Sequence, residues 1–238
     1  MDVTLDSIRD VQLYQSRTGY RFSVDSLLLC NFIELKEAGG IADLGAGSGI
    51  IGILLARKYP DARIDLFEIQ DGLFGLATKN VLLNRLEGRV KVIKCDLRTL
   101  PTASSISRQY DLVVSNPPFR RLKSGLLNLE EERAIARHEI KLSLHEFVDA
   151  AASLLRPKGR LSVIYHPSRL AELIEALRRK KVEPKRLRFV HSTISSQSKM
   201  VLLEAVKGGR TGLRVEKPFY LYDEDGGYTD EMESVYTP

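Results

Sequence analysis

The chain has 238 residues and a mass of 26.8 kDa, and its composition of 43% hydrophobic and 28% charged residues suits one globular α/β domain with small appendages. Its cysteines, Cys30 and Cys95, have no Cys or His at metal-ligand spacing, which excludes a disulfide framework and a zinc centre. The most apolar stretch, 41–56, is short and carries Asp43 and several glycines, which excludes a membrane span. Because the first residues lack the order of a signal peptide, we expect a cytoplasmic protein.

The net charge of +5 is unevenly distributed along the chain. Residues 156–217 hold 16 Lys and Arg against five acidic residues, whereas residues 1–155 are balanced and residues 218–238 hold six acidic residues and no Lys or Arg. Concentrated basic charge is typical of a surface that binds a polyanion. The four cations at 178–181 also suit the end of a helix, so the charge favours nucleic-acid contact without requiring it.

Short apolar runs alternate with helical patterns, which predicts βαβ units around a mostly parallel sheet. We expect strand pairs in the first 20 residues, and then a helix capped by Ser23 or Asp25. The predicted strands are 40–44, 64–68, 90–95, 110–115 and 160–165, and the predicted helices between or after them are 50–58, 72–86, 144–155 and 168–181. The charged segment 119–141 is interpreted as a substrate-facing loop with some helix.

Two further apolar runs, 187–191 and 200–206, are too close for a crossover helix and should pair antiparallel. A parallel sheet that closes with a reversed strand is expected for methyltransferases that use S-adenosylmethionine (SAM). We therefore predict an α/β, Rossmann-like SAM methyltransferase fold whose seven-stranded, mostly parallel sheet has a reversed C-terminal strand. Residues 1–35 would form an arm and helix packed on the core, 36–217 the methyltransferase domain, and 218–238 an acidic tail packed on the core.

A glycine-rich loop, 43–50, lies between the first predicted strand of the parallel sheet and a helix and reads Asp-Leu-Gly-Ala-Gly-Ser-Gly-Ile. Its small residues let the backbone approach a ligand closely at the carboxyl edge of the sheet. Residues 47–52 also fit the dinucleotide pattern G-x-G-x-x-G, so this loop alone leaves both SAM and NAD open.

Three carboxylates lie at strand ends, and two of them, Asp43 and Asp96, favour SAM over NAD. Glu68 ends the second strand of the parallel sheet, where either cofactor needs a ribose-binding carboxylate. Asp43 would repel a pyrophosphate but suits the ammonium of the methionine part of SAM. Asp96 closes the third strand, where it can accept a hydrogen bond from an adenine amino group. The alternatives are that Asp43 caps the loop, that Asp96 starts a turn, and that Glu68 is a solvated strand end.

Residues 116–119, Asn-Pro-Pro-Phe, follow the fourth strand at the same edge. The Asn116 side-chain oxygen and the Pro117 carbonyl could accept hydrogen bonds from an exocyclic amino group and aim its lone pair at a SAM methyl group. Pro118 offers no competing N–H, and Phe119 can stack on a planar base or amide. A chance turn is the alternative.

These motifs resemble a known family. Residues 43–49 with 116–119 resemble the amino-methyltransferases that act on adenine N6, guanine N2 or glutamine N5. Residues 19–29, Gly-Tyr-Arg-Phe-Ser-Val-Asp-Ser-Leu-Leu-Leu, resemble the N-terminal signature of the bacterial tRNA1(Val) (adenine-N6)-methyltransferases, and 207–209 with 221–231 are similar to their ending. That family modifies the adenine beside the anticodon of valine tRNA.

The resemblance implies a full set of site residues. The implied catalytic residues are Asn116, Pro117, Pro118 and Phe119. The implied cofactor-binding residues are Phe22, Asp25, Asp43, Gly45, Ala46, Gly47, Gly49, Glu68, Asp96 and Asn116. The aromatic residue here is Phe119, where the adenine-N6 group commonly has Tyr and guanine-N2 relatives often have Phe. Both bases therefore stay open as acceptors.

Basic and His residues after the catalytic turn are candidates for substrate contact, with plain surface positions as the alternative. They are Arg120, Arg121, Lys123 and His138. The sequence thus predicts SAM as cofactor, tRNA as partner, and neither a metal nor a membrane contact. The alternative functions are an rRNA guanine-N2 or protein glutamine-N5 methyltransferase and, further away, a non-catalytic RNA-binding protein on this fold. Oligomeric state stays open.

Overall fold

The computed structural model describes residues 3–16, 24–102, 109–117 and 142–237. Its strands are β1 (Val3–Ile8), β2 (Val11–Ser16), β3 (Gly40–Leu44), β4 (Arg63–Glu68), β5 (Val90–Lys94), β6 (Tyr110–Ser115), β7 (Leu155–Tyr165), β8 (Val182–His191), β9 (Ser198–Lys207), β10 (Arg214–Val215) and β11 (Phe219–Tyr220). Its α-helices are α1 (Val24–Phe32), α2 (Ile50–Lys58), α3 (Asp71–Leu83), α4 (Leu144–Leu154), α5 (Leu170–Arg179) and α6 (Asp230–Tyr236). Short 3-10 turns cover Leu97–Thr102 and Pro167–Arg169.

The long strands form one mixed sheet in the order β8-β9-β7-β6-β3-β4-β5. Strand β9 runs antiparallel to both of its neighbours, and β7, β6, β3, β4 and β5 are mutually parallel. This confirms the predicted Rossmann-like fold and its reversed strand. Two strands of two residues each, β10 and β11, also pair with β8 and were not predicted.

The central strands are apolar almost throughout because helices cover both faces of the sheet. One face carries the hairpin β1–β2 with α1, α2, α3 and α6, and the other carries α4 and α5. Helix α4 begins with a capping box, in which Ser143 and Glu146 each accept a hydrogen bond from the other's backbone N–H. Helix α5 buries Leu173, Ala176 and Leu177 on one face.

Several predicted boundaries are wrong by a few residues. Strand β7 begins at Leu155, because the predicted stop at 156–159 instead forms an irregular start of the strand with Lys158 in the left-handed region (φ 65°). The helix predicted at 168–181 opens as a 3-10 turn and ends at Arg179. The strands β8 and β9 pair antiparallel as predicted, but each is longer than its apolar run.

Both ends of the described chain pack on the core. The hairpin buries Val11 and Leu13, and α6 buries Met232 and Val235. Arg9 in the hairpin turn donates from Nε to the Val235 carbonyl at 2.9 Å, which joins the two ends.

Much of the basic charge in 156–217 is paired within the protein. At least nine of the 16 cations lie within 4.0 Å of a carboxylate among the described residues: Arg156, Arg160, Arg169, Arg178, Arg179, Lys180, Arg186, Arg188 and Arg214. Arg188 binds Glu231 of the acidic tail with two contacts of 2.7 Å. The electrostatic attraction of this region for a polyanion is therefore weaker than its sequence charge suggests. Within the described residues, no helix is both long and apolar enough to cross a membrane.

Candidate functional site

Three parallel strands end side by side at one edge of the sheet. In the strand register, Asp43 of β3 lies opposite Leu66 of β4 and Val114 of β6. Ser115, the last residue of β6, donates from Oγ to the Leu44 carbonyl at 2.6 Å, and both residues are buried. This bond ties the strand that leads to Asn116 to the strand that leads to the glycine loop, and no sequence pattern predicted it.

The glycine loop is shaped by left-handed backbone at Gly45 (φ 71°), Gly47 (φ 59°) and Gly49 (φ 86°), which only glycine adopts readily. The N–H groups of Gly45 and Ala46 both donate to the Phe67 carbonyl, at 2.9 and 3.0 Å. A Cβ at Gly49 would lie 3.1 Å from a methyl group of Leu66, whereas a Cβ at Gly45 would meet nothing within 4 Å. The loop is thus packed against the sheet at Gly49 and open at Gly45.

Glu68 closes the loop from β4. Its Oε2 accepts from the Gly47 N–H at 2.9 Å, and its Oε1 accepts from the Gln70 N–H at 2.8 Å. Glu68 is 4% exposed, so it is a buried, hydrogen-bonded group rather than a solvated strand end.

Asp43 is fully buried beneath the loop. Its Oδ2 accepts from the Gly52 N–H at 3.2 Å, but its Oδ1 has no hydrogen-bond partner among the described residues. Burial raises the pKa of the Asp43 carboxyl to about 7, with the negative charge of Glu68 adding to the shift and the Gly52 hydrogen bond opposing it. A buried carboxylate oxygen without a partner is costly unless a ligand supplies one.

Asp96 follows β5 and is bound to its own neighbour. Its Oδ1 accepts from the backbone N–H of Arg98 at 3.0 Å, and the Arg98 guanidinium contacts both carboxylate oxygens. The Arg98 side-chain hydrogen bond is the main cause that holds the pKa of Asp96 below its usual value. The alternative in which Asp96 starts a turn therefore has direct support, and the Arg98 contact would need to shift for Asp96 to bind a ligand with the same oxygens.

Asn116 and Pro117 directly follow β6 and are half-buried. Asp25 lies half-buried in the first turn of α1. The remaining predicted site residues lie outside the described part of the chain: Phe22, Pro118, Phe119, Arg120, Arg121, Lys123 and His138.

Sequence reasoning missed Asn80, a fully buried residue of α3. Its amide accepts from the Tyr14 N–H at 2.7 Å and donates to the Tyr14 carbonyl at 3.0 Å and the Ser48 carbonyl at 2.9 Å. One turn later, Asn84 makes the same pair of bonds with the backbone of Gln12, at 3.1 and 2.7 Å. The two asparagines thus bind the outer edge of β2 as a neighbouring strand would. Of the two, only Asn80 also binds the glycine loop, through the Ser48 carbonyl.

No group of three or more His, Cys, Asp or Glu among the described residues could hold a metal ion. Cys30 is a buried free thiol, and burial raises its pKa to about 12, so it is inert at neutral pH.

The sheet order and this glycine loop define a SAM-dependent methyltransferase of the Rossmann-like class. The model of the family "Methyltransferase small domain" matches residues 20–183, which is more than half of the chain. The chain belongs to this family.

Among its relatives is the tRNA1(Val) (adenine(37)-N6)-methyltransferase of Porphyromonas gingivalis, with 33% identity over 73% of this chain and 69% of the relative. The protein of the same name from Dyadobacter fermentans is 25% identical over 89% of this chain and 86% of the relative. A crystal structure of a predicted O-methyltransferase from Agrobacterium tumefaciens covers 90% of this chain and 99% of its own, with 21% identity and a TM-score of 0.70. A T. thermophilus 16S rRNA N2 methyltransferase in complex with AdoMet and guanosine has a TM-score of 0.60 and 20% identity, and covers 87% of this chain and 50% of its own. These two solved structures support the fold.

Proposed function

We propose that this protein transfers a methyl group from SAM to N6 of an adenine in tRNA, at the adenine beside the anticodon of valine tRNA. The observation that carries the proposal is that Asn116 follows β6 beside the glycine loop, at strand ends joined by the Ser115–Leu44 hydrogen bond. The acceptor is taken from the relatives of P. gingivalis and D. fermentans, which are named for that reaction.

The described residues fit SAM. The unpartnered Oδ1 of Asp43 offers a buried negative partner for a positively charged ammonium group, directly or through water. Glu68 keeps lone pairs on both oxygens that can accept from ribose hydroxyls while it holds Gly47 and Gln70. The open space at Gly45 lets a ligand approach the backbone. The proposed cofactor site is completed by Ala46, Gly47, Gly49, Asp25 and Asp96. It also includes Phe22, which lies outside the described residues.

When bound, SAM supplies an electrophilic methyl group on a sulfonium. The protein's part is to prepare the nucleophile, because the lone pair of an exocyclic amino group is delocalised into the ring. The Asn116 side-chain oxygen and the Pro117 carbonyl accept the two amino hydrogens, which turns the lone pair out of the ring plane and towards the methyl group. Pro118 and Phe119 belong to the same proposed group, with Phe119 stacking on the base.

No buried general base is needed in this scheme. Once the nitrogen carries the new methyl group its remaining protons become acidic, and one passes to water. The carbonyl oxygens at 116 and 117 therefore act by orientation and charge rather than by titration, so Asn116 itself contributes no pKa to the reaction.

The proposal includes RNA contact close to the site by Arg120, Arg121, Lys123 and His138, which follow the catalytic turn in sequence. It also includes a cytoplasmic location and the division into an arm at 1–35, a methyltransferase domain at 36–217 and a tail at 218–238. The burial of Leu13 and Val235 in the same core supports the packing of arm and tail on the domain.

The test is incubation with methyl-labelled SAM and bulk tRNA, followed by digestion to nucleosides. We expect the label in N6-methyladenosine of valine tRNA, and Asn116→Ala should lower kcat by at least about a hundredfold, the usual loss on removing one such hydrogen-bonding group. Label in a guanosine or in protein glutamine would reject the adenine assignment. Full activity of Asn116→Ala would reject the mechanism.

A further inference from the structure

A polar pocket of about 440 Å³ lies between the hairpin turn, the end of α2 and the end of α3. Arg9, Arg57 and Arg85 come from these three elements and all line it, together with Ser7, Gln12 and Asp10. Three guanidinium groups against one carboxylate give the pocket a net positive charge. It lies outside the cofactor site described above.

The one carboxylate does not neutralise the pocket. Asp10 Oδ2 lies 3.3 Å from Arg57 Nε, and both side chains remain substantially exposed (53% and 39%), so the pair is weak and accessible. Arg9 uses Nε and Nη2 on the Val235 carbonyl, which fixes its guanidinium without neutralising its charge. The pocket therefore presents positive charge whose position is set by the protein.

Two of these arginines occupy backbone positions that favour glycine or asparagine. Arg9 has φ 50° in the hairpin turn, and Arg85 has φ 56° just after α3. A left-handed arginine is less favourable than a glycine at the same place. A cation suits the helix end at Arg85, and the Arg9 guanidinium also has a structural role through its hydrogen bonds to the Val235 carbonyl. Both side chains line the same pocket, so the two left-handed residues concentrate positive charge there.

The pocket is held at a fixed distance from the glycine loop. Asn80 binds the Ser48 carbonyl of that loop, and Arg85 follows it by five residues, or about 8 Å along a helix. Helix α2 starts at the glycine loop and carries Arg57 seven residues after Ile50, or about 10 Å along the helix. A ligand that occupies both places must therefore extend at least on the order of 10 Å beyond the cofactor loop.

We infer that this arginine pocket, Arg9–Arg57–Arg85, binds a backbone phosphate of the RNA substrate away from the methylated base. The inference rests on the proposed function. Guanidinium groups pair bidentately with phosphate, and Ser7 and Gln12 can add neutral hydrogen bonds. A folded RNA carries closely spaced phosphates along each strand, so it offers one at this distance whatever its exact register.

The test compares Arg85→Gly and Arg57→Gln with Lys36→Gly, which removes one exposed cation outside the pocket. Binding of full-length tRNA is measured against salt concentration, together with the KM and kcat of methylation. Arg85→Gly and Arg57→Gln should each weaken tRNA binding about threefold to tenfold and lower the slope of log K against log salt by roughly 0.7–0.9, as expected for one lost phosphate contact. The tRNA KM should rise while kcat and the KM for SAM stay unchanged.

The Arg85→Gly variant separates binding from folding. Glycine relieves the left-handed backbone, so its melting temperature should equal or exceed that of the wild type while its tRNA affinity falls. The inference is overturned if Arg85→Gly and Arg57→Gln both stay within twofold of Lys36→Gly, or if they lose binding of inorganic phosphate and keep that of tRNA. If the wild type methylates no RNA but its tRNA binding still depends on Arg85, the proposed function fails and the pocket assignment stands.

Discussion

Asp43 and Glu68 are buried carboxylates at the ends of two neighbouring strands, and of the two only Glu68 has a hydrogen bond on both oxygens. Glu68 stabilises the loop in the cofactor-free protein. Asp43 instead has one oxygen without a hydrogen-bond partner in the part of the chain that the structure describes, and its pKa is raised to about 7. The same site thus contains one residue that favours the folded state and one that costs stability until a cation binds.

Replacing each of these two carboxylates with its isosteric amide should change the stability of the cofactor-free protein in opposite directions. Asp43→Asn removes the cost of burying a charge and keeps an acceptor for Gly52, so the cofactor-free protein should gain about 1–3 kcal/mol above pH 7. Glu68→Gln loses an acceptor for Gly47 or Gln70 and should cost about 1–3 kcal/mol. Thermal unfolding with and without SAM measures both. The Asp43→Asn variant should also lose most of the SAM-induced rise in melting temperature, and a full rise would contradict the assigned role of Asp43.

Cofactor binding should depend on pH through Asp43. Its folded-state pKa is raised from 3.8 to about 7, so the folded protein keeps a proton that the unfolded chain has already lost. This group therefore lowers the stability of the cofactor-free protein as pH rises from about 4 to 7, and its effect is constant above 7. Because the cation favours the ionised form, SAM affinity should rise by up to about tenfold per pH unit below pH 7 and then level off.

Calorimetric titration in buffers of different ionisation enthalpy measures the released proton directly. Asp43→Asn is the control, and its SAM affinity should lack this part of the pH dependence. A wild-type affinity that is flat between pH 5.5 and 8 would show that Asp43 is already ionised in the free protein.

Alanine variants of Asn80 and Asn84 form a matched pair that tests the coupling between the β1–β2 hairpin and the glycine loop. Replacing either with Ala leaves backbone groups of β2 without partners and should cost about 1–3 kcal/mol of stability. Asn80→Ala alone releases the Ser48 carbonyl, so it should also raise the KM for SAM several-fold. Asn84→Ala should leave that KM unchanged. Equal KM values in the two variants would mean that the loop keeps its shape without Asn80.

Replacing either of two helical glycines with alanine should change the stability of the protein, in opposite directions. A Cβ at Gly52 would lie 2.1 Å from Leu66 Cδ2, so Gly52→Ala should destabilise by about 1–3 kcal/mol and disturb the loop. A Cβ at Gly75 of α3 would meet nothing within 4 Å, so Gly75→Ala should stabilise by about 0.5–1 kcal/mol. Denaturant unfolding measures both changes, and a neutral Gly52→Ala would show that Leu66 can change rotamer at little cost.

The sequence predicted the parallel strands, the reversed strand and the glycine loop because each depends on local pattern and spacing. It could not predict the contact between Asn80 and Tyr14, which joins residues 66 positions apart through side-chain amides that look ordinary in a helix. The amino-acid sequence also could not predict that Arg98 binds Asp96, or that at least nine cations of 156–217 have carboxylate partners. Such pairing is decided by the folded arrangement. The catalytic turn was predicted from four consecutive residues, of which the structure describes Asn116 and Pro117.

Strand β9 lies between β7 and β8, although it follows both in the chain. While the protein is being synthesised, β8 emerges before the strand that connects it to the rest of the sheet. A nascent chain that stops at residue 191 would therefore expose one edge of β7 and leave β8 without a neighbouring strand. The final third of the sheet can close only after residue 207 has left the ribosome, by which time the strands that carry the glycine loop and Asn116 have already been made.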